Sequence, residues 1–284
     1  MIENLETLVA LSKAGTMMEA STALRISQSA VSKRIANLER YYDRKLIERH
    51  GRRVVLTSHG TQLVERVTPL LSELRSVFLE DNALRKGRII LGVSEAILSS
   101  WGPRLFSSVC EALPGVELEL HAQRSPVVLD RLRSGEYMVG VCTGSPDADT
   151  DLVSEVIREE PMVIIPSGLA PLTYFVGEPL QVITIESRSG AWASIEEDMS
   201  RLRLQRAVSL ESFFAVAQMA IAGFGHGLVP AGVARTLGVD EDVLIELSME
   251  GLTRPVRFVA RKSMFGRSLI RSFYSEVRAR AISI

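Results

Sequence analysis

"SQSAVSKRIANLERYYDRKLIERHGRR", Ser27 to Arg53, gathers Lys and Arg behind a run of small hydroxyl residues, in a chain whose formal net charge is only −1. Val31, Ile35 and Leu38 recur at helical spacing with Ala30 beside them, so the first half reads as an amphipathic helix whose apolar stripe must be covered. Ser27 is placed to cap it, and the helix should run to about Tyr41. Upstream, "ENLETLVALSKAG" puts Leu5, Leu8 and Val9 on one helical face and ends at Gly15. Thr16 with Glu19 three residues on is a capping box that opens a short second helix, ending near Leu24. Arg25 and Ile26 then turn the chain into Ser27. Two short helices joined by a tight turn form a helix-turn-helix. Downstream, "KLIERHGRRVVLT" predicts two short strands, Leu46–Arg49 and Val54–Thr57, around a turn containing His50 and Gly51.

The exposed face of the third helix carries Ser29, Ser32, Lys33, Ala36 and Arg40, with Ser27, Gln28 and Ser29 at its N-terminal tip. Short side chains at that tip let a backbone approach base edges in a major groove; Gln28 can pair with adenine, and Ser29 with several acceptors. Lys33 and Arg34 flank the tip, where phosphates would lie. Arg49, Arg52 and Arg53 cluster on the hairpin, which could reach the backbone or minor groove beside the helix. Taken alone, the helix reads equally as a solvated surface helix of a small bundle. The charge distribution favours a polyanion. Residues 1–62 hold ten Lys/Arg against six Asp/Glu, net +4, and the remainder holds 23 against 28, net −5.

Beyond the hairpin, Thr57 to about Arg85 reads as one long helix. Leu63, Val64, Val67, Leu70, Leu71, Leu74, Val77 and Phe78 recur on it at intervals of three and four. Such a stripe predicts a partner helix, and hence a dimer; packing on its own domain is the alternative. Pro69 should kink this helix or remove one hydrogen bond, and "RKGR", Arg85 to Arg88, reads as a hinge. The rest alternates strands ("RIILGVS", "VELELH", "YMVGVC", "QVITI", "LQRAVS", "GHGLVP", "VRFVARKS") with helices. "EAILSSWGPRLFSSVCEAL" is read as one such helix and "SLIRSFYSEVRARA" as the last. This rhythm predicts an open α/β sheet, whose ligands lie at the carboxyl ends of the strands. Those ends supply Ser94, Glu95, Arg124, Ser125, Thr143, Ser187, Arg188 and Glu211, with His226 in "GFGHGLVP". Hydroxyls at helix starts could hold a carboxylate against Arg124 or Arg188, or could simply cap their helices. Glu95 and Glu211 would suit an amino group, and His226 also reads as a local loop residue.

The string "AGTMMEASTALRISQSAVSKRIANLERYYDRKLIERHGRRVVLTSHG" resembles the winged helix-turn-helix of LysR-type transcriptional regulators, most specifically in "SQSAVSKRIANLE" and "LTSHG". It departs from the family where Glu19-Ala20 replaces the usual Ala-Ala and Ile47 the usual Phe, both readable as packing variants. The resemblance implies an α+β chain. Its parts would be a winged helix-turn-helix (1–58), a linker and dimerisation helix with hinge (59–87), and a two-lobed periplasmic-binding-protein-like effector domain (88–284). It implies a chain crossing near Glu160–Ile165 and a return near Arg257–Arg261. Lobe I would then be 88–160 with 262–284, and lobe II 161–261. The segment from Pro166 to Leu180 is short for the family. The implied partners are an operator duplex, a small-molecule effector between the lobes, further copies of the chain as homodimer or homotetramer, and RNA polymerase.

Several classes find no support in the residues. No apolar run reaches the ~20 residues of a membrane span, and "MIENLETLVA" lacks the basic start of a signal peptide, so a cytoplasmic protein is expected. Cys110, Cys142 and four His residues give no metal spacing and no disulfide framework; the cysteines read as small buried residues, with paired redox sensing as the alternative. Enzyme signatures are missing: "GVSEA" lacks the second Gly of a nucleophile elbow, and "GFGHGLVP" is only superficially a Gly-rich loop. No cofactor and no catalysis are expected. A ligand-binding protein without a DNA role would leave the basic helix and hairpin unexplained.

Overall fold

The computed structural model describes residues 1–51, 53–77, 87–144, 146, 151–174, 178–247, 249 and 251–282. Arg52, Phe78, and Arg85 and Lys86 of the expected hinge lie outside them. Two compact units form, one essentially residues 1–81 and one residues 82–284, apart from three residues at 134–136.

The first unit packs α1 (Ile2–Ala14), α2 (Met17–Leu24) and α3 (Gln28–Tyr42), followed by the hairpin β1 (Ile47–His50) and β2 (Arg53–Leu56) and then α4 (Ser58–Val77). Thr16 Oγ1 accepts from the Glu19 N–H, and Ser27 Oγ from the Ala30 N–H, so both expected N-caps form. Arg25 makes the turn between α2 and α3 in the left-handed region, at φ 53°. Leu8, Leu11, Ala20, Val31, Ile35, Leu38 and Leu46 are the core. Leu63 and Val64 pack against that same core, and α4 lies on α1 and β2. The apolar stripe of α4 therefore packs on its own domain over its first turns, the alternative to a partner helix. Further along, Val67 and Leu71 are buried while Leu70 is 61% exposed. Pro69 is carried inside a continuous helix.

The second unit is an α/β body. Its elements are β3 (Gly87–Ser94), α5 (Glu95–Leu98), α6 (Gly102–Ala112), β4 (Val116–Gln123), α7 (Ser125–Arg133), β5 (Val139–Thr143) and β6 (Leu152–Ile165). These are followed by β7 (Leu180–Ile185), α8 (Trp192–Arg201), β8 (Leu204–Leu210), α9 (Phe213–Ile221), β9 (His226–Pro230), α10 (Ala231–Thr236), β10 (Ile245–Glu246), β11 (Thr253–Arg261), α11 (Lys262–Phe265) and α12 (Ser268–Ala281). The strand order is β4-β3-β5-β11-β6-β9-β7-β8, with β10 also on β6. Parallel pairing of β3 with β4 and β5 builds one lobe, and of β7 with β8 and β9 the other. The 14-residue β6 joins them. Nine of its first ten residues pair with β11, the register skipping Ile157 at a bulge, and Met162–Ile165 pair with β9.

Two expectations need correction here. The stretch 95–113 is not one helix. Gly102 and Pro103 start a new one, because Pro is tolerated in a first helical turn but not inside. A Cβ at Gly102 would also lie 2.7 Å from the Ile97 carbonyl oxygen. The break turns Trp101 inward, where it is 7% exposed. Second, the returning strand belongs with lobe I rather than lobe II. Val256, Phe258 and Ala260 pack with Ile89, Leu91, Val141, Phe273 and Val277, and Val256–Ala260 pair with β5. The return crossing therefore falls before Val256.

Candidate functional site

Two surfaces carry the chemistry, one on each unit. On the first, Val31, Ile35 and Leu38 anchor α3 in the core and leave the opposite face to solvent. Gln28, Ser29 and Lys33 are exposed there; Ser27 is exposed as cap, with its Oγ 2.9 Å from that of Ser29. The hairpin returns beside this face: Arg49 Nη2 lies 3.5 Å from Ser32 Oγ, and Arg53 is exposed. The fold thus brings Arg49 to the exposed face of α3 across 17 residues of chain. Arg34 is the exception. Its guanidinium donates to Glu3 Oε2 at 2.5 Å and approaches Thr7 Oγ1 at 3.4 Å, so it braces α3 against α1 rather than flanking the tip. Arg52 lies outside the described residues.

Glu39 fastens the hairpin to the helix, a role its sequence position did not suggest. Its carboxylate accepts from Lys45 Nζ and the Leu46 N–H, both at 2.9 Å, and from the Ile47 N–H at 3.4 Å. Burial alone would raise its pKa, but the hydrogen bonds from Lys45, Leu46 and Ile47 outweigh it and hold the carboxyl below the usual glutamate value of 4.5. A depressed folded pKa means that the stabilisation is full above 4.5 and is lost as pH falls through the lower folded value. Glu39→Gln is therefore expected to cost the first unit about 1–3 kcal/mol at neutral pH and to flatten its acid transition. Urea melts of both proteins at pH 7 and pH 3 check this; an undiminished gap at pH 3 would contradict it.

On the second unit, the carboxyl ends of β3, β4 and β5 converge, as the parallel register requires. One cleft is lined by Ser94, Glu95, Arg124, Ser125 and Thr143 from lobe I, and by Ile185, Ser189, Glu211, Ser212 and Phe213 from lobe II. Six of the nine expected residues therefore meet. Ser125 Oγ accepts the Thr143 N–H at 3.2 Å and shares a 3.1 Å hydrogen bond with Thr143 Oγ1. Arg124 reaches across the cleft, donating from one nitrogen to Glu186 Oε1 and from another to Glu211 Oε2 at 3.1 Å. The lobes also touch through glycines: a Cβ at Gly190 would lie 2.5 Å from the Thr143 carbonyl oxygen. Three expected residues stand elsewhere. Ser187 is exposed, and Arg188 is 84% exposed with Nη2 3.5 Å from Glu186 Oε2. His226 Nδ1 accepts the Ser167 N–H at 3.1 Å, tying a short turn to β9, and it does not line the cleft.

Sequence reasoning missed Arg254, which also lines the cleft while only 1% exposed. Its Nε and Nη2 donate to Glu160 Oε2 at 2.9 and 2.6 Å, Trp101 Nε1 donates to Glu160 Oε1 at 2.9 Å, and the guanidinium sits 5.1 Å from the Phe213 ring centroid. The signal in the sequence was an Arg beside Pro255 in "TRPVRFVAR", opposite a Glu in another strand. Both cysteines are free thiols; burial pushes Cys142 up to about 12, where it is inert. Among the described residues no group of His, Cys, Asp and Glu could hold a metal ion, and no helix is long and apolar enough to cross a membrane.

Residues 2–61 match the bacterial regulatory helix-turn-helix protein of the lysR family, and residues 82–282 match the LysR substrate binding domain. The chain belongs to the LysR family. It is a LysR-type DNA-binding transcriptional regulator with a substrate-binding domain, and the two surfaces fall one in each matched region. A transcriptional regulator of Vibrio cholerae, itself uncharacterised, is 28% identical over 274 residues, 96% of this chain and 93% of the relative. Among solved structures, a full-length OxyR variant from Pseudomonas aeruginosa superposes with TM-score 0.71 at 16% identity, covering 98% of this chain and 97% of that one. Full-length CbnR in complex with its target DNA superposes with TM-score 0.63 at 18% identity, covering 99% of each. At such identities the solved structures establish the shared fold of this LysR-type regulator.

Proposed function

We propose that this LysR-type regulator reads a partly palindromic operator as a homodimer, able to pair into a tetramer, and is switched by a small molecule bound in the interlobe cleft. The observation that carries the reading is the exposed tip of α3, with Gln28 and Ser29 open to solvent and Arg49 drawn up beside Ser32. Gln28 and Ser29 read base edges; Ser27, Lys33, Arg49, Arg52 and Arg53 hold phosphates or the adjacent minor groove. The exposed Leu70 on α4 supports a partner helix along the later part of that helix. Ser94, Arg124, Ser125 and Thr143 contact the effector. The protein works by binding alone, in the cytoplasm, and passes its signal to RNA polymerase. CbnR, solved on its target DNA, supports the DNA arm by analogy of fold.

Two substitutions separate reading from holding. Gln28→Ala should relax sequence preference by about 1–3 kcal/mol at one base pair per half-site. Arg53→Ala should weaken specific and random duplexes alike and lower the salt slope by ~1. Fluorescence-anisotropy titrations at several salt concentrations check both. Equal losses on operator and random DNA for Gln28→Ala would remove its reading role.

A further inference from the structure

We infer that the ligand of the interlobe cleft is a small zwitterion, a free amino acid or a close chemical equivalent with an ammonium and a carboxylate on one compact frame. The inference rests on the reading of that cleft as the effector site and names the chemistry that the site accepts.

The charges in and around the cleft do not balance. Arg254 is neutralised by Glu160 beneath the cleft floor. Arg124 is shared between two carboxylates, Glu186 and Glu211, from the opposite lobe. Arg188 reaches Glu186 only from the rim, 84% exposed. Glu95 lines the cleft from lobe I, and among the described residues nothing pairs with its carboxylate. Four carboxylates thus face the buried guanidinium of Arg254, the partly exposed one of Arg124 and that of Arg188 at the rim. A purely anionic ligand would enter a site already short of positive charge, whereas an ammonium group finds Glu95 waiting and can compete for Glu186 and Glu211.

The other end of the ligand follows from the donors. Ser125 and Thr143 share one hydrogen bond between their hydroxyls, which uses one of their two O–H protons and leaves the other to donate. Ser94 is 7% exposed, and its hydroxyl makes no cap bond to the short α5. These donors sit on the lobe I wall of the same cleft, beside Arg124. An ammonium that takes over Glu211 or Glu186 releases Arg124, whose planar fork then suits a carboxylate. The Arg124 bridge occupies the site with the same pairing that the ligand brings, so ligand entry exchanges one cross-lobe ion pair for another at little net electrostatic cost.

The test uses the full-length protein and the twenty L-amino acids singly, first by thermal shift and then by calorimetry. Each one that binds is followed by its 2-hydroxy acid and its decarboxylated amine. At least one amino acid should raise the melting temperature, and both analogues should bind about 10–100-fold more weakly, the loss of one charge-assisted contact. Glu95→Gln should weaken the amino acid but leave the 2-hydroxy acid unchanged, a pattern that mere structural damage cannot produce. Ser125→Phe should abolish binding. If no amino acid stabilises the protein, or if the 2-hydroxy acid binds as well as its amino acid, the zwitterion assignment falls. If an amino acid binds equally to wild type, Glu95→Gln and Ser125→Phe, the cleft itself is misassigned.

Discussion

Arg254→Ala is expected to lower the stability of the two-lobed body by about 3–5 kcal/mol. The substitution strands Glu160, which is 1% exposed and would keep the Trp101 N–H as a hydrogen-bond partner and the charge of Arg158 nearby. It also removes the cation over the Phe213 ring. The wall beside the carboxylate is close: a Cβ on Gly232 would lie 2.9 Å from Glu160 Oε1 and from Trp101 Cδ1. Without the guanidinium the carboxylate loses the charged partner that offsets its desolvation. Replacing both partners, Glu160→Leu with Arg254→Met, should recover most of the loss, because a buried pair is worth little against apolar groups of similar volume. The two tryptophans of the chain, Trp101 and Trp192, both lie in this body. Denaturant melts followed by tryptophan fluorescence therefore read it directly. A loss under about 1 kcal/mol for Arg254→Ala would show that the pair is not the keystone of the crossing strands.

Gly60→Ala is expected to abolish DNA binding while leaving that tryptophan transition in place. Gly60 lies in the first turn of α4, in "LTSHG", and a Cβ there would stand 2.0 Å from the Leu46 carbonyl oxygen. That oxygen accepts the Thr57 N–H at 3.0 Å, Thr57 Oγ1 donates to the Lys45 carbonyl at 2.7 Å, and the Gly60 N–H returns to Thr57 Oγ1 at 3.0 Å. Any shift that relieves the clash must break this ring of bonds and move the fully buried Leu46, and with it the start of the hairpin. Overpacking of this kind costs about 1–3 kcal/mol where a core can yield, and backbone yields less than side chains. His59→Ala, on the exposed neighbour, is the control and should change stability by less than ~0.5 kcal/mol. Operator titration with parallel circular dichroism checks the pair; full DNA binding by Gly60→Ala would refute the account.

Periodicity and capping residues foretold α1 to α3 and the hairpin to within a residue or two, since helix faces and N-caps are local properties. Ser27 and Thr16 cap where expected, and Val31, Ile35 and Leu38 are buried as their spacing required. The seven strands that were read are present, but the 14-residue β6 was read only as a chain crossing, because its first half mixes charged and apolar residues. Where readings failed, a distant residue had intervened. Arg34 looked like a phosphate contact until Glu3, 31 residues away, took its guanidinium. His226 was open to two readings, cleft residue or local loop residue, and its bond from the Ser167 N–H agrees with the second. The helix expected over 95–113 broke at Gly102–Pro103, a signal present in the sequence but outweighed in the reading by the apolar run around it.

The amino-acid sequence by itself determined the order of parts: a basic helix-turn-helix with hairpin, a long helix, and an α/β body with polar residues at its strand ends. These follow from short-range rules of period, turn and charge, which need no partner. Only the tertiary structure decided which polar residues meet. Glu160 and Arg254 stand 94 positions apart, and Arg124 and Glu211 stand 87 apart. Each becomes a pair because β6 and β11 run antiparallel between the lobes, or because two parallel sheets aim their carboxyl ends at one cleft. Charge alone cannot specify such pairs, since any Arg attracts any Glu. The buried backbone register selects one partner and excludes water from it.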